Sequence, residues 1–264
     1  MSKDALAFGS AWSFGSALAL GSALGLLRGE LYRLLRKKSM FIYFGALAAG
    51  YFVVAFIRSG GFHEGSAVSD ALTMFSMLPA LAGGFLFASI YTDDLNSKNL
   101  IYLVGGGANR AMIVVAKLAL AAVFGAAVFV LVPLYHCAVY AALGQAVSAG
   151  MAALIFAGSA KYLLAYLAFS ALSGIVAYGS QRATFAIVTY LLLAFGVVGT
   201  LVSLALNTFA PGLASHLVSG VTDRILVGIV GGGPLALPIA EYAVYVLAAV
   251  IVSAVVFHRK EMEF

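Results

Sequence analysis

The sequence predicts an all-α, polytopic membrane protein with six transmembrane helices, and three observations lead to this fold class. Of the 264 residues, 63% are hydrophobic and 9% charged, whereas soluble domains are about half apolar and about a quarter charged. Apolar runs of about 20 residues, the length that spans a bilayer, recur along the chain. The alternating segments of about ten residues that are typical of transmembrane strands do not occur. This composition excludes a soluble enzyme and a disordered protein, and the single Cys137 excludes an intrachain disulfide framework.

Six long apolar segments are the predicted spans: residues 40–57, 71–90, 111–134, 160–178, 184–206 and 237–257. They are rich in Ala, Gly and Ser, which allow close approach of helices in lipid. We expect one membrane domain over 40–257, followed by a tail at 258–264. Kinks or close helix contacts are predicted at Pro133, Gly83, Gly84, Gly125, Gly174, Gly196 and Gly199.

Basic residues indicate the orientation, because cytoplasmic loops of membrane proteins carry an excess of Lys and Arg. With both termini inside, only Arg58, Lys161 and Arg224 lie outside. The inner set is Lys3, Arg28, Arg33, Arg36, Lys37, Lys38, Lys98, Arg110, Lys117, Arg182, Arg259 and Lys260. We therefore expect a multi-pass protein of the cytoplasmic (inner) membrane with both termini cytoplasmic. This distribution accounts for the net charge of +5 without a nucleic-acid partner.

Before the first span, residues 1–23 allow more than one interpretation: a signal peptide or seventh span, or a segment lying on the membrane surface. Residues 24–38 predict an amphipathic helix at the membrane interface. Its apolar stripe is Leu24, Leu27, Leu31, Leu34 and Leu35, and the cations opposite are Arg33, Arg36 and Lys37. The alternative is a basic run that only sets the orientation.

Between spans two and three, the polar loop 91–110 predicts a short cytoplasmic helix. Thr92 is the expected N-cap, with Asp93 and Asp94 in the first turn, where the helix dipole favours anions. We expect this helix to reach about residue 104 and to end at the glycines 105–107. Asn109 then caps the third span, and we expect Arg110 and Lys117 to reach the headgroups. The alternative is an ordinary connector.

This arrangement resembles the permease subunits of ABC-2-type transporters, which have a basic elbow helix, six spans and a coupling helix between spans two and three. The family pattern of an acid, an apolar stretch, a Ser-Arg-like pair and a following Lys is similar to the residues present here. The matching positions are Asp93 or Asp94, Leu100 and Leu103, Asn109-Arg110, and Lys117. The sequence departs from the family in lacking a Gly-Thr pair and in having GGGAN where Pro is common. The resemblance covers residues 24–257.

The resemblance implies that two permease chains pair, as a homodimer or a heterodimer, and that each receives a nucleotide-binding ATPase subunit. ATP and Mg would bind that partner, since this chain has no phosphate-binding G-x-x-x-x-G-K-[ST] motif and is not expected to be an enzyme. Residues 93–104 would dock on the ATPase. The positions assigned to coupling are Asp93, Asp94, Leu95, Lys98, Asn99, Leu100, Leu103 and Arg110. Export of a lipid-like, peptide or antibiotic-like substrate is the expected activity.

On the outer side, the loop 207–236 resembles the re-entrant helices that cap the exit path in this family. Its Asp223 and Arg224 are expected to form a solvated cluster. Lys161, His136 and Glu241 are expected near the outer headgroups, and a deeper location would favour a Glu241–Lys161 pair.

Two other function classes remain open. An integral membrane enzyme acting on lipids requires clustered catalytic residues near one interface, and a secondary transporter requires paired intramembrane charges or an inverted repeat. Neither pattern is evident in the sequence, and it contains no spacing of His, Cys and acidic residues that predicts a metal site.

Overall fold

The computed structural model describes residues 25–58, 66–105, 108–210 and 212–260, and within them the chain contains helices and no strands. Helix α1 covers residues 25–35. The next elements are α2 (Lys38–Arg58), α3 (Ser66–Phe75), α4 (Leu78–Phe87), a π-helix (Ala88–Thr92), α5 (Asp93–Asn96) and α6 (Asn99–Gly105). The remainder are α7 (Arg110–Ala142), α8 (Ala149–Ser180), α9 (Ala183–Ala194), α10 (Val197–Phe209), a 3-10 turn (Leu213–His216), α11 (Val218–Gly231) and α12 (Ala236–Arg259). The interpretations of residues 1–23, and Leu24 of the predicted stripe, lie outside the described residues.

Five helical segments in the described part of the chain are long and apolar enough to cross a membrane, and a bent pair makes a sixth. Each of the six predicted spans coincides with one of them. The third and fourth are longer than predicted, with 33 and 32 residues, because the mostly apolar residues 135–142 and 149–159 continue these helices.

The second span is longer and less regular than the predicted 71–90. It extends from Ala67 to Asn96 and breaks before α4, which has Pro79 in its first turn. Proline lacks a backbone N–H and fits the first turn of a new helix. A π-helix then connects α4 to α5, so that the span continues into the loop that was predicted to begin at residue 91.

The fifth span bends by 58° between α9 and α10. Gly196 occupies the bend with a φ of 74°, in the left-handed region that favours glycine. The kink predicted at Gly196 is therefore present. Gly125 has the other predicted role: a Cβ there would lie 2.5 Å from Cε1 of Tyr166, so α7 and α8 approach closely at this point.

Helix α8 is central and packs against α7, α9, α11 and α12. At one end of the bundle, Phe87 stacks between Tyr91 and Tyr190, with ring centroids 4.7 Å apart in both pairs. Helix α2 is peripheral, and most of its apolar side chains are exposed. We call the end that carries α1, α5, α6 and the C-terminus of α12 the basic end, and the end that carries the α7–α8 connection and α11 the opposite end.

Candidate functional site

Four charged side chains from three separate elements meet at the basic end, and we call them the basic-end cluster: Glu30 and Arg33 of α1, Asp94 of α5 and Lys117 of α7. Arg33 Nη2 lies 2.7 Å from Glu30 Oε2, and Arg33 Nη1 lies 2.8 Å from Asp94 Oδ1. Lys117 Nζ lies 3.0 Å from Glu30 Oε2 and also contacts Asp94 Oδ2. Each cation therefore contacts both carboxylates.

The cluster is largely removed from solvent. Asp94 is 0% exposed, Lys117 1% and Glu30 9%, while the Arg33 side chain remains partly exposed. Ions buried in this way are tolerated only when paired, since the loss of hydration costs several kcal/mol per ion. Two cations and two carboxylates give a formal net charge of zero, so the cluster joins α1, α5 and α7 without an uncompensated charge.

A second ionic contact joins the same elements on the exposed side of the cluster. Lys37, between α1 and α2, contacts Asp93 Oδ2, and its Nζ donates to Ser89 Oγ at 3.3 Å. The same ammonium lies 5.8 Å from the ring centroid of Phe85. The polar face of the N-terminal helix therefore contacts the second span as well as solvent.

The local geometry of this loop corrects three predictions. Thr92 is not an N-cap: it lies within the continuing helix, and its Oγ1 donates to Ala88 O at 2.8 Å. The predicted single helix from Asp93 to residue 104 is interrupted at Ser97 and Lys98, where Lys98 has a φ of 56°. Lys117 does not reach the headgroups, because Asp94 and Glu30 bind it inside the bundle.

The structure also shows the contacts of Asn109, which was expected to cap α7, and of Arg110, which was expected to reach the headgroups. Asn109 does cap α7, since its Oδ1 accepts from Ala111 N at 2.9 Å. Arg110 Nη1 donates to the backbone carbonyls of Phe257, His258 and Lys260 at 2.6, 3.1 and 2.8 Å. Arg110 thus fastens the end of α12 to the start of α7.

The residues assigned to coupling differ in accessibility. Asp94 and Leu100 are buried, whereas Asp93, Leu95, Asn99, Leu103 and Arg110 are partly exposed and Lys98 is exposed. Tyr102, which the sequence analysis did not single out, is 76% exposed. A soluble partner could therefore touch Lys98 and Tyr102 directly, while Asp94 faces the bundle.

The apolar stripe of α1 packs on protein. Leu34 is buried in the core, and Leu27 and Leu31 pack against the same core, whereas Leu35 is exposed. Among the cations opposite, Arg36 lies 4.6 Å from the ring centroid of Tyr32, and Arg33 and Lys37 form the ion pairs described above. The predicted faces therefore differ from the structure at Leu35, which is exposed, and at Arg33 and Lys37, which contact the second span.

At the opposite end, the four predicted polar candidates form two ion pairs, each of which joins α11 to a neighbouring helix. Lys161 of α8 contacts Asp223 of α11, and Arg224 of α11 contacts Glu241 of α12. His216 Nδ1 lies 3.4 Å from Glu241 Oε2. The Glu241–Lys161 pair, expected only for a deeper location, does not form, because Asp223 and Arg224 of α11 contact these two residues instead. We call these five residues the opposite-end cluster.

Sequence reasoning missed a third polar group, which lies between the second and third spans. His136, expected near the headgroups, is fully buried, with Nε2 3.0 Å from Ala67 O and Nδ1 in contact with Tyr51 Oη. Tyr140 Oη donates to Asp70 Oδ2 at 2.9 Å. The signal that could have indicated this group is Asp70, a lone acid in an apolar segment. For the basic-end cluster, the corresponding signal is Glu30, a lone acid in a basic segment.

Within the described ranges, no three His, Cys, Asp or Glu side chains are close enough together to hold a metal ion. No protein-family model matches the chain, and no curated protein is significantly similar to it in sequence.

Proposed function

We propose that this protein is the membrane-spanning permease subunit of an ATP-driven exporter of the ABC-2 type. The observation that carries the proposal is the buried basic-end cluster, which joins α1, the loop between spans two and three, and the third span. A displacement of that loop cannot leave Asp94 unpaired without a large electrostatic cost. Force applied to the loop would therefore move α7 and α1 with it.

The distribution of charge supports a cytoplasmic location for this end. Arg33, Lys37, Lys98, Arg110 and Lys117 all belong to elements at the basic end, and such an excess is typical of cytoplasmic surfaces. A nucleotide-binding subunit, which is cytoplasmic, could reach the exposed residues Lys98 and Tyr102. The excess of Lys and Arg at the basic end also supports the expected orientation, in which both termini are cytoplasmic.

We assign two different roles within the loop. Lys98 and Tyr102 contact the ATPase, and Asp94 passes the resulting movement to Lys117 and Arg33. Binding of ATP and Mg, and hydrolysis, take place on the partner. The bend at Gly196 gives the fifth span a break at which its two halves can move separately, because a left-handed residue interrupts the helical hydrogen bonds.

A second permease chain completes the proposed transporter. Helix α2 has a largely exposed apolar surface that includes Ile42 and Phe56, and a second copy or lipid would cover it. The substrate class is apolar or amphipathic (lipid, peptide or antibiotic-like), since the ions of the buried basic-end cluster bind one another and leave few charged groups for an ionic ligand.

The test is purification of the tagged full chain from its native membrane in mild detergent, followed by identification of the proteins bound to it. We expect a stoichiometric soluble ATPase whose hydrolysis rate rises when the permease is present. Its reproducible absence, with the chain intact and monodisperse, would contradict the proposal.

A pair of matched variants locates the contact. Tyr102→Ala should lower recovery of the ATPase at least about tenfold, because exposed Tyr residues are frequent anchors of protein interfaces. Phe209→Ala is the control, since Phe209 is a similarly exposed aromatic residue (86%) of α10, at the opposite end. Equal loss with both variants would indicate a general effect on folding rather than a docking site.

A secondary transporter is the second candidate, and the buried group around Asp70 and His136 favours it. Ionisable residues inside membrane segments often mark ion or proton pathways. In liposomes that contain the chain alone, this candidate predicts proton flux that Asp70→Asn abolishes. The exporter proposal predicts no such flux without the ATPase.

A further inference from the structure

An apolar groove of about 380 Å³ lies where the fifth span bends. Its volume falls within the range of about 300–1,000 Å³ found for small-molecule sites. The walls come from α8, α9, α10, α11, α12 and the 3-10 turn, and they include Phe169, Leu193, Gly199, Leu217 and Tyr245. The bend creates the groove because it tilts α10 away from the line of α9.

The groove lies near the middle of the bundle's length. At about 1.5 Å per residue, Tyr245 is about 21 Å along α12 from its C-terminus at Arg259. The bend at Phe195 is about 18 Å along α9 from its start at Ala183. A hydrocarbon layer is about 30 Å thick, so a chain in the groove would belong to the leaflet opposite the basic end.

The opposite-end cluster lies further from the basic end than the groove does. Glu241 is about 27 Å from the C-terminus of α12, and Lys161 is about 29 Å from the C-terminus of α8. These distances approach the thickness of about 30 Å of a hydrocarbon layer, so we expect the cluster near the boundary between hydrocarbon and headgroups.

The groove and the cluster are continuous. Ala214 and Leu217, which line the groove, flank His216 of the cluster. Tyr245, another lining residue, donates from its Oη to His216 O at 2.5 Å. Glu241 lies one helical turn above Tyr245 on α12 and contacts His216. One ligand could thus occupy the groove with an apolar chain and reach the cluster with a polar group.

We infer that this groove binds an acyl chain of a zwitterionic phospholipid, whose headgroup lies on the opposite-end cluster. The cluster offers cations (Lys161 and Arg224) beside carboxylates (Asp223 and Glu241), which suits a headgroup that carries both a phosphate and an ammonium. An anionic headgroup would meet the same two carboxylates without a compensating charge of its own. The inference rests on the membrane insertion of the chain proposed above, but not on an ATPase partner.

The experiment uses the purified full chain in nanodiscs that contain a phosphatidylethanolamine with a diazirine at the middle of one acyl chain. After illumination, mass spectrometry of the digested protein identifies the labelled residues. We expect labelling to concentrate on residues 196–203 and 214–219. Labelling spread evenly over the exposed apolar residues of α2 and α12 would overturn the inference.

A variant that fills the groove provides the matched comparison. Gly199→Leu adds a side chain at a lining position where a Cβ has open space, and Gly50→Leu does the same on α2, away from the groove. Displacing two methylenes should lower labelling of the groove about tenfold. Gly50→Leu should leave it unchanged, and equal labelling in both variants would overturn the site.

Competition tests the headgroup on the unaltered protein, so it does not depend on any variant folding. Unlabelled phosphatidylethanolamine should suppress labelling of the groove more strongly than phosphatidylglycerol or palmitate at the same mole fraction. Equal suppression by all three would reject the headgroup contact. Because no ATPase is present, failure of the exporter proposal leaves this result unaffected.

Discussion

The two ends of the bundle carry ion-pair clusters of similar composition but different burial. At the basic end, Asp94 and Lys117 are fully inside the protein. At the opposite end, the Asp223 side chain is 56% exposed and Lys161 is partly exposed. The same kinds of residue can therefore fasten three elements together at one end and remain accessible to a ligand at the other. Depth within the protein decides between the two roles, because water screens exposed pairs strongly and buried pairs weakly.

The largest expected effect is the loss of one buried charge. Lys117→Met should lower the free energy of unfolding by about 3–5 kcal/mol, since two buried carboxylates, Asp94 and Glu30, would share the single partly exposed cation Arg33. Lys161→Met at the opposite end should cost about 0–1 kcal/mol. Unfolding by sodium dodecyl sulfate in mild detergent, followed by circular dichroism, measures both. Equal losses would remove the distinction between the two ends.

A double-mutant cycle should give the next largest difference. Removing both Asp94 and Lys117 charges, as Asp94→Asn with Lys117→Met, should cost less than the two single changes added together. We expect a coupling energy of about 0.5–3 kcal/mol, as for other contacting pairs. The corresponding cycle for Lys161 and Asp223 should give a value near zero in the same unfolding assay. If the losses of unfolding free energy for Asp94→Asn and Lys117→Met simply add, the contact between these two residues does not contribute to stability.

Helix caps provide a comparison in which the two ends should agree. Asn109 caps α7 at the basic end, and Ser148 caps α8 at the opposite end, where its Oγ accepts from Met151 N at 3.2 Å. Asn109→Ala and Ser148→Ala should each lower the stability by about 1 kcal/mol. A much larger loss for Asn109 would mean that the cap also positions the basic-end cluster.

The smallest expected effect is that of salt. Between about 0.01 and about 1 M salt the Debye length falls from about 30 to about 3 Å. The stability difference between the protein and its Lys161→Met variant should vanish over this range. The difference for Lys117→Met should remain, because its partners are not exposed to ions. A salt-dependent loss for Lys117→Met would place the basic-end cluster in contact with solvent.

The periodic and compositional features of the chain were predictable. The six apolar runs coincide, in the part of the chain that the structure describes, with five helical segments and one bent pair that are long and apolar enough to cross a membrane, and the polar Asn109 before an apolar run predicted the cap of α7. Part of the face of α1 that packs on the core, Leu27, Leu31 and Leu34, also lies in the predicted apolar stripe. These features depend on residues close to one another in the chain, so the sequence contains the whole of the relevant pattern.

The pairing of charges was not predictable in the same way. Glu30, Asp94 and Lys117 are far apart in the sequence, and Lys117 has the same local signature as a lysine that reaches the headgroups. The partners of Lys161 and Glu241 depend on α11, which packs against both α8 and α12 and brings Asp223 and Arg224 to them. The break at Ser97 and Lys98 arises where the second span continues further than its apolar run.

The sequence by itself therefore determined which segments are helical and apolar enough to cross a membrane, because local hydrophobicity and turn chemistry decide that. Tertiary structure alone decided which charges are buried, which partner each one has and where the bent fifth span opens a groove. The physical reason is that desolvation and Coulomb energy depend on distances in space, and those are set only when helices remote in the chain pack together.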